Sequence, residues 1–290
     1  MILITGANGQ LGTELRHLLD ERGVDYVAAD VAEMDITDAD KVDAFFAKVA
    51  PSVVYHCAAY TAVDAAEGEG KDLNYAINVT GSENVARAAK RHGAVLVYIS
   101  TDYVFDGNLP LGQEWQVNDQ PAPQSEYGRT KRLGEEAVER LTDAFYTIRT
   151  AWVFGQYGKN FVFTMRQLAQ TRKQLTVVND QHGRPTWTRT LAEFMLHLVD
   201  TKQAYGYYHL SNDASSDTTW FDFAQEILKD RDVEVLPVDS SQFPAKAKRP
   251  FNSTLSLEKA KATGFVIPTW QEALRSFDEQ LTAIDLQTSL

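Results

Sequence analysis

The sequence predicts an α/β protein in which a doubly wound parallel sheet is followed by a smaller C-terminal α/β lobe. Three observations carry this. Short β-branched runs alternate with helical stretches through the first half of the chain. A glycine-rich turn, Gly6-Ala-Asn-Gly9-Gln-Leu-Gly12, lies between the first apolar run and the first helical stretch. Beyond Trp152 the alternation loosens into irregular loops. Regular strand–helix alternation with short connections specifies parallel strands covered on both faces.

In chain order, Ile2-Leu-Ile-Thr5 is the first strand, and Leu11, Leu15, Leu18 and Leu19 mark the apolar stripe of the helix that follows. Tyr26–Ala29 and Val53–His56 are the next strands, with a helix over 40–49 between them. One long helix is expected over 73–92, then a strand at Val95–Ile99, a helix carrying Tyr127, and a strand at 144–148. The second half reads as a helix over 160–171, a strand at Leu175–Val178, the loop Asn179-Asp-Gln-His-Gly-Arg-Pro-Thr186 and a helix over 188–200. A strand at 207–210, a helix over 220–229, a Pro/Lys-rich loop at 243–250 and C-terminal helices complete it. The expected division is residues 1–151 for the first unit and 152–290 for the second, with the chain free to cross back.

The 290 residues suffice for a substantial core. A net charge of -12 opposes wrapping a nucleic-acid backbone and reads as solubility. The single cysteine, Cys57, excludes an intrachain disulfide and a thiolate zinc cluster, and its apolar surroundings mark it as structural. A first strand starting at Met1 leaves no expected signal peptide, and no apolar run is long enough to span a bilayer. A cytoplasmic protein is expected.

The glycine turn carries the first chemistry. Gly6 permits a tight turn, Gly9 allows a pyrophosphate to approach the backbone, and Gly12 allows close helix–strand packing. The helix that follows presents unpaired amides and a positive dipole end to phosphate. A Rossmann-like dinucleotide cradle is therefore expected, formed by Gly6, Asn8, Gly9, Gln10 and Leu11. Asp30, ending the second strand, is placed either to accept from the adenosine ribose or to cap a local turn. Asp35 and Ile36 are candidates to flank adenine, and Ala58, Ala59 and Tyr60 to line the crevice past the third strand. No arginine lies near Asp30 in sequence, which on electrostatics alone favours NADH over NADPH.

The second chemistry is Tyr127-Gly-Arg-Thr-Lys131. A phenol and an ammonium four residues apart share one helix face. The cation, with a cofactor's positive nicotinamide nearby, favours the phenolate and lowers a pKa that is ordinarily about 10, so the phenol can deliver a proton as hydride reaches a carbonyl carbon. None of the other tyrosines has a lysine at this spacing. Ser100, Thr101 and Asp102 follow the fourth strand, where groups face the ligand crevice of a parallel sheet. Any of the three can supply a further polar group to the carbonyl oxygen.

With these motifs the chain is identified as a member of the extended short-chain dehydrogenase/reductases. More narrowly it resembles the dTDP-4-dehydrorhamnose reductase family. The resemblance spans nearly the whole chain, through Gly-x-x-Gly-Gln-Leu-Gly12, Ala-Ala-Tyr-Thr-Ala-Val-Asp64, Ser-Thr-Asp-Tyr-Val-Phe105 and Tyr-Gly-Arg-Thr-Lys131. Arg-Thr-Ala-Trp-Val-Phe154, the Asn179–Thr186 loop and Lys-Arg-Pro250 continue it. It implies reduction of the C4 ketone of a dTDP-deoxysugar by NADPH, with NADH also accepted. It implies Thr101, Tyr127 and Lys131 as catalytic residues, Tyr127 and Lys131 also holding the cofactor. Thr61, Val63, Asp64, Thr101, Asp102 and Trp152 would surround the sugar, Trp152 being either its apolar wall or a core residue. Arg184 and Arg249 are candidates for the diphosphate or thymine side, or else solvated surface groups.

Two alternatives accompany it. Nucleotide-sugar dehydratases and epimerases use the same Tyr/Lys pair, but dehydratases carry Thr-Asp-Glu where this chain has Thr101-Asp-Tyr103. The regulatory subunit of methionine adenosyltransferase is similar in fold and motifs yet is a binding partner. The family pattern also departs at one point. Some members dimerise through magnesium held by glutamates. Glu14 matches the first of these, but Arg189 stands at the second, so no metal and a monomer or a dimer without a metal bridge are expected.

Overall fold

The computed structural model describes residues 1–288. Ten strands occur: β1 (Ile2–Thr5), β2 (Tyr26–Ala29), β3 (Val53–His56), β4 (Val95–Thr101), β5 (Phe145–Thr150), β6 (Val153–Phe154), β7 (Gln174–Val178), β8 (Thr186–Trp187), β9 (Gly206–His209) and β10 (Glu234–Val238). Six of them form one parallel sheet in the order β2-β1-β3-β4-β5-β9. The strand order reverses between β1 and β3. In such a sheet the crevice beyond the carboxyl ends of those two strands is where a ligand binds.

Apolar residues at i, i+3 and i+4 bury one stripe of each covering helix. Leu15, Leu18 and Leu19 of the Gln10–Glu21 helix join Leu191, Phe194 and Leu198 of the Thr188–Asp200 helix on one face. Val42 and Phe46 of the Ala39–Val49 helix join Val85 and Ala89 of the Ser82–His92 helix on the other. β9 and the Thr188–Asp200 helix are thus second-half segments built into the first sheet. The strand pair β7–β10, with helices Phe161–Leu168, Trp220–Leu228 and Trp270–Thr288, surrounds a separate core of Phe154, Leu175, Phe223 and Phe277.

Two local departures from the sequence reading bear on the site. The helix expected over 73–92 is broken into Lys71–Tyr75, a π-helical turn at Ala76–Gly81 and Ser82–His92. Within the π-helical turn, Asn78 is turned inward and bonds both the N–H (2.9 Å) and the C=O (3.0 Å) of Tyr60. An inserted turn of this kind re-aims side chains. β10 was not anticipated, because Glu-Val-Leu-Pro-Val is short and contains a proline.

Candidate active site

The glycine turn takes the geometry its sequence demands. Gly6 has φ +62°, and a Cβ there would lie 2.5 Å from the Cα and N of Ala58. Gly9 starts the Gln10–Glu21 helix with no side-chain cap. The first-turn amides are therefore free to bond an anion. A cavity of about 600 Å³ opens beside this turn, lined by Gly6, Asn8, Gly9, Asp30, Asp35, Ile36, Ala58 and Ala59 together with Val31, Met34, Thr37, Leu73 and Ile77. Its volume and the uncapped amides fit a dinucleotide.

Asp30 is turned into this cradle. Its Oδ2 accepts from Asn8 N–H at 2.9 Å and its Oδ1 from Val31 N–H at 2.8 Å, so it ties the glycine turn to the end of β2. Asp35 is engaged by Thr37, through its amide (2.9 Å) and its hydroxyl (2.7 Å). Distance in sequence concealed one cation. Arg16, in the second turn of the following helix, donates to Asn8 Oδ1 (3.2 Å) and Ala7 O (3.3 Å). Tyr60 departs from expectation, since its ring lies over Gly70 and the walls past β3 are Ala58 and Ala59.

A second cavity of about 530 Å³ continues from the helix N-terminus. Gly9, Gln10 and Leu11 form one wall, and Thr101, Asp102, Tyr127 and Lys131 meet Thr61, Val63 and Trp152 across it. Ser125 caps the Glu126–Leu141 helix by accepting from Gly128 N–H (3.1 Å), which sets Tyr127 in the first turn. Lys131 is 2% exposed, donates to Ile99 O (2.6 Å) and stands 4.3 Å from the centre of the Tyr98 ring. Thr101 Oγ1 donates to Asp102 Oδ1 (2.8 Å) and accepts from Tyr103 N–H (3.2 Å).

Trp152 has φ +49°, a conformation that costs a non-glycine residue about 1–3 kcal/mol and marks functional sites. It stacks on Trp220 at 3.9 Å and 14°. A Cβ on Gly183 would meet its ring at 2.8 Å, so the glycine of the 179–186 loop makes room for it.

The electrostatics run opposite to the expectation in one respect. Burial foremost raises the Tyr127 phenol, with a hydrogen bond to Thr101 pulling the other way. Burial lowers Lys131 to about 7, against the weaker pull of Glu135. Desolvation is the largest influence on both groups in the protein alone. Asp102 is pushed up to about 6 by burial, against the Thr101 hydrogen bond. Burial likewise raises the Cys57 thiol to about 12, as befits a structural residue.

With this geometry in place, the family description "RmlD substrate binding domain" matches residues 1–283. The chain belongs to this family. It is 39% identical to the spore coat polysaccharide biosynthesis protein SpsK of Bacillus subtilis over 287 residues, covering 98% of this chain and 99% of that one. It is 35% identical to the dTDP-4-dehydrorhamnose reductase of Escherichia coli, covering 97% of each. The crystal structure of the Bacillus anthracis dTDP-4-dehydrorhamnose reductase in complex with NADP superimposes with a TM-score of 0.91 at 40% identity, covering 96% of this chain and 98% of that one.

Beside the second cavity of this RmlD-type chain lies a third, of about 500 Å³. Phe161, Met165, Val177, Trp220 and Phe243 line it, with Asp64 and Arg249 at its edge. Asp64 does not face the catalytic cavity as expected. It holds Arg249 (2.6 Å), which also donates to the Tyr103 hydroxyl (3.2 Å). Arg184 is committed elsewhere, to Glu114 and to Leu255 O (3.2 Å), and so has a structural part.

Three residues with no role expected from the sequence shape the site: Tyr103 and Arg149 lie inside the motifs, and Glu135 lies just past one. Tyr103 packs edge-on against Tyr127, with ring centres 5.6 Å apart. Glu135, one turn past Lys131 and fully buried, is gripped by Arg149 through two bonds of 2.8 and 2.9 Å. That pair clamps the Tyr127 helix to β5. Thr-Asp-Tyr-Val-Phe105 was a signal for Tyr103 and Arg-Thr-Ala-Trp-Val-Phe154 for Arg149, and Glu135 had none.

Proposed function

We propose that the chain reduces the C4 ketone of dTDP-4-dehydro-L-rhamnose to dTDP-L-rhamnose, with Tyr127 as the proton donor. The carrying observation is the meeting of Tyr127, Lys131 and Thr101 in one cavity with the uncapped helix at Gly9. When bound, NADPH supplies the hydride. The chain's own residues do the rest. Gly6, Asn8, Gly9, Gln10 and Leu11 present backbone to the pyrophosphate, and Asp35, Ile36, Ala58 and Ala59 enclose the adenosine end. Lys131 exchanges its Ile99 carbonyl partner for the nicotinamide ribose.

Burial keeps the phenol of Tyr127 protonated until charge develops on the ketone oxygen, which is the state a general acid requires. Thr61, Val63 and Asp102 bound the sugar, and Trp152 is its flat apolar wall. The apolar cavity under Trp220, edged by Arg249, receives the thymidine diphosphate side. Chain assembly follows the charge at Arg189, giving a monomer or a dimer with no bridging metal.

Following loss of reduced nicotinamide absorbance with this substrate tests the activity. Tyr127→Phe is expected to bind NADPH normally and to lose at least ~100-fold in turnover, the scale of a general acid. Near-normal turnover would remove Tyr127 from the mechanism. In the same assay NADPH is expected to exceed NADH in kcat/KM, with both used, because Arg16 stands beside the cradle and Asp30 is already bonded to two amides. A hundredfold NADH preference would overturn this.

A further inference from the structure

We propose that Lys159 is a binding residue for the diphosphate of the nicotinamide cofactor, held beside the glycine turn by a strap formed of residues 155–160. This rests on the reading of the two adjoining cavities as the cofactor's site.

The strap follows β6 and is pinned on both sides of Lys159. Asn160 is buried and accepts from Phe163 N–H (3.3 Å), capping the Phe161–Leu168 helix. Its Nδ2 donates to Gly155 O (2.7 Å), which closes the strap on itself, and to Oε1 of Gln10 (3.0 Å), the first residue of the helix that opens at Gly9. The Tyr157 ring stacks on His17 of that same helix, at 4.9 Å and 7°. Gln156 accepts from Trp187 Nε1 (3.1 Å) and donates to Gln280 Oε1 (2.6 Å). Between these anchors Gly158 takes φ +74°, a conformation open to glycine, and turns the chain against Gln10.

Lys159 is what the anchors leave free. It is exposed and lines the cavity of about 530 Å³ together with Gly9, Gln10 and Leu11. Its ammonium has no ion-pair partner among the described residues.

Charge identifies the ligand. Among the described residues, the side chains lining the two cavities include three carboxylates, Asp30, Asp35 and Asp102, and two amines, Lys131 and Lys159. His56 also lines the wall, but burial lowers it to about 3 and keeps it neutral. Lys131 is buried and bonded to Ile99 O beside the Tyr98 ring. Helix amides at Gly9 offer a diphosphate donors and a dipole but no full counter-charge. Lys159 supplies that charge, as a point cation on a flexible stem. The nucleotide sugar carries a diphosphate too. The strap, however, is bonded to Gln10 and stacked on His17, so it belongs to the helix whose uncapped N-terminus serves the cofactor.

Titration of NADPH fluorescence at low and at physiological salt tests the proposal. Lys159→Ala should raise the NADPH Kd about tenfold at low salt and by less at high salt, the scale of one charge-assisted contact under screening. Lys159→Arg, which keeps the charge, should stay within about twofold of the parent. Adenosine 2′-monophosphate has the adenosine end and lacks the diphosphate, so it should bind Lys159→Ala and the parent alike. An unchanged NADPH Kd in Lys159→Ala at low salt would overturn the proposal. Equal weakening of adenosine 2′-monophosphate would overturn it as well, because the strap itself would then have moved. A loss seen only in the KM of the nucleotide sugar would give Lys159 to the sugar's diphosphate instead. A parent chain that binds no NADPH would overturn the reading of the cavities and this proposal with it, an outcome distinct from parental affinity in Lys159→Ala.

Discussion

The cavity beside the glycine turn and the apolar cavity beside Trp220 are built in opposite ways. The first sets a backbone wall, the Gly6–Gly9 turn closed against Ala58 and the helix opening at Gly9, beside side chains such as Met34, Ile36 and Ile77, all within the first 77 residues. The second is walled by side chains from Asp64, Phe161, Val177, Trp220 and Phe243, and its edge pair Asp64–Arg249 joins residues 185 apart. A backbone-walled site depends on where chain direction and glycine permit close approach. A side-chain-walled site depends on tertiary packing, and its contents are exchangeable. The difference predicts that the first tolerates almost no added atom and the second loses affinity piecemeal.

Gly6→Ala is the sharpest way to break the first cavity. The new Cβ would collide with Ala58 Cα and N at 2.5 Å, and φ +62° disfavours any side chain by about 1–2 kcal/mol. With overpacking of about 1–3 kcal/mol added, NADPH affinity should fall by at least ~100-fold. Equilibrium titration of NADPH fluorescence checks it. Affinity within tenfold of the parent would mean that the turn can relax and that the contrast between the cavities is overstated.

Trp220→Ala addresses the second cavity. It removes one face of the Trp152 stack and the largest aromatic wall of the pocket. Loss of one base-stacking surface is worth roughly 1–3 kcal/mol, so the KM for the nucleotide sugar should rise about 10-fold or more while the NADPH Kd stays put. A fall in NADPH affinity instead would show that the cavities are not separable.

The same contrast explains what was legible in the sequence. A glycine turn has a local cause, so Gly6, Gly9 and Gly12 could be read from spacing, as could the shared helix face of Tyr127 and Lys131. Which sheet a strand joins has no local cause, and Gly206–His209 gives no sign that it completes the first sheet beside β5. The break at Ala76–Gly81 comes from Asn78 reaching across to Tyr60, and helical periodicity cannot report a contact 18 residues away. Arg184 and Asp64 carry the right charges for ligands, yet each is satisfied by a partner distant in sequence. Burial of the Tyr127 phenol, which raises its pKa in the protein alone, is likewise invisible to spacing.

The smallest effect expected is none, on removal of divalent metal. Three carboxylates converge on the outer end of the Gln10–Glu21 helix and the start of the Thr188–Asp200 helix. Arg189 sits among them, bonding Glu193 at 3.0 Å, reaching Glu14 at 3.5 Å and gripping Glu21 through both terminal nitrogens. Glu14 is nearly buried and its carboxyl is raised by desolvation, so the cluster needs a counter-charge that the chain itself supplies. A guanidinium is always charged and presents donors in a fixed fork, whereas a hard dication needs anionic oxygens with nothing positive between them. Activity and sedimentation should therefore be the same with EDTA and with added magnesium. A magnesium-dependent dimer would show that Arg189 swings out of the cluster and that the carboxylates are free to take a metal after all.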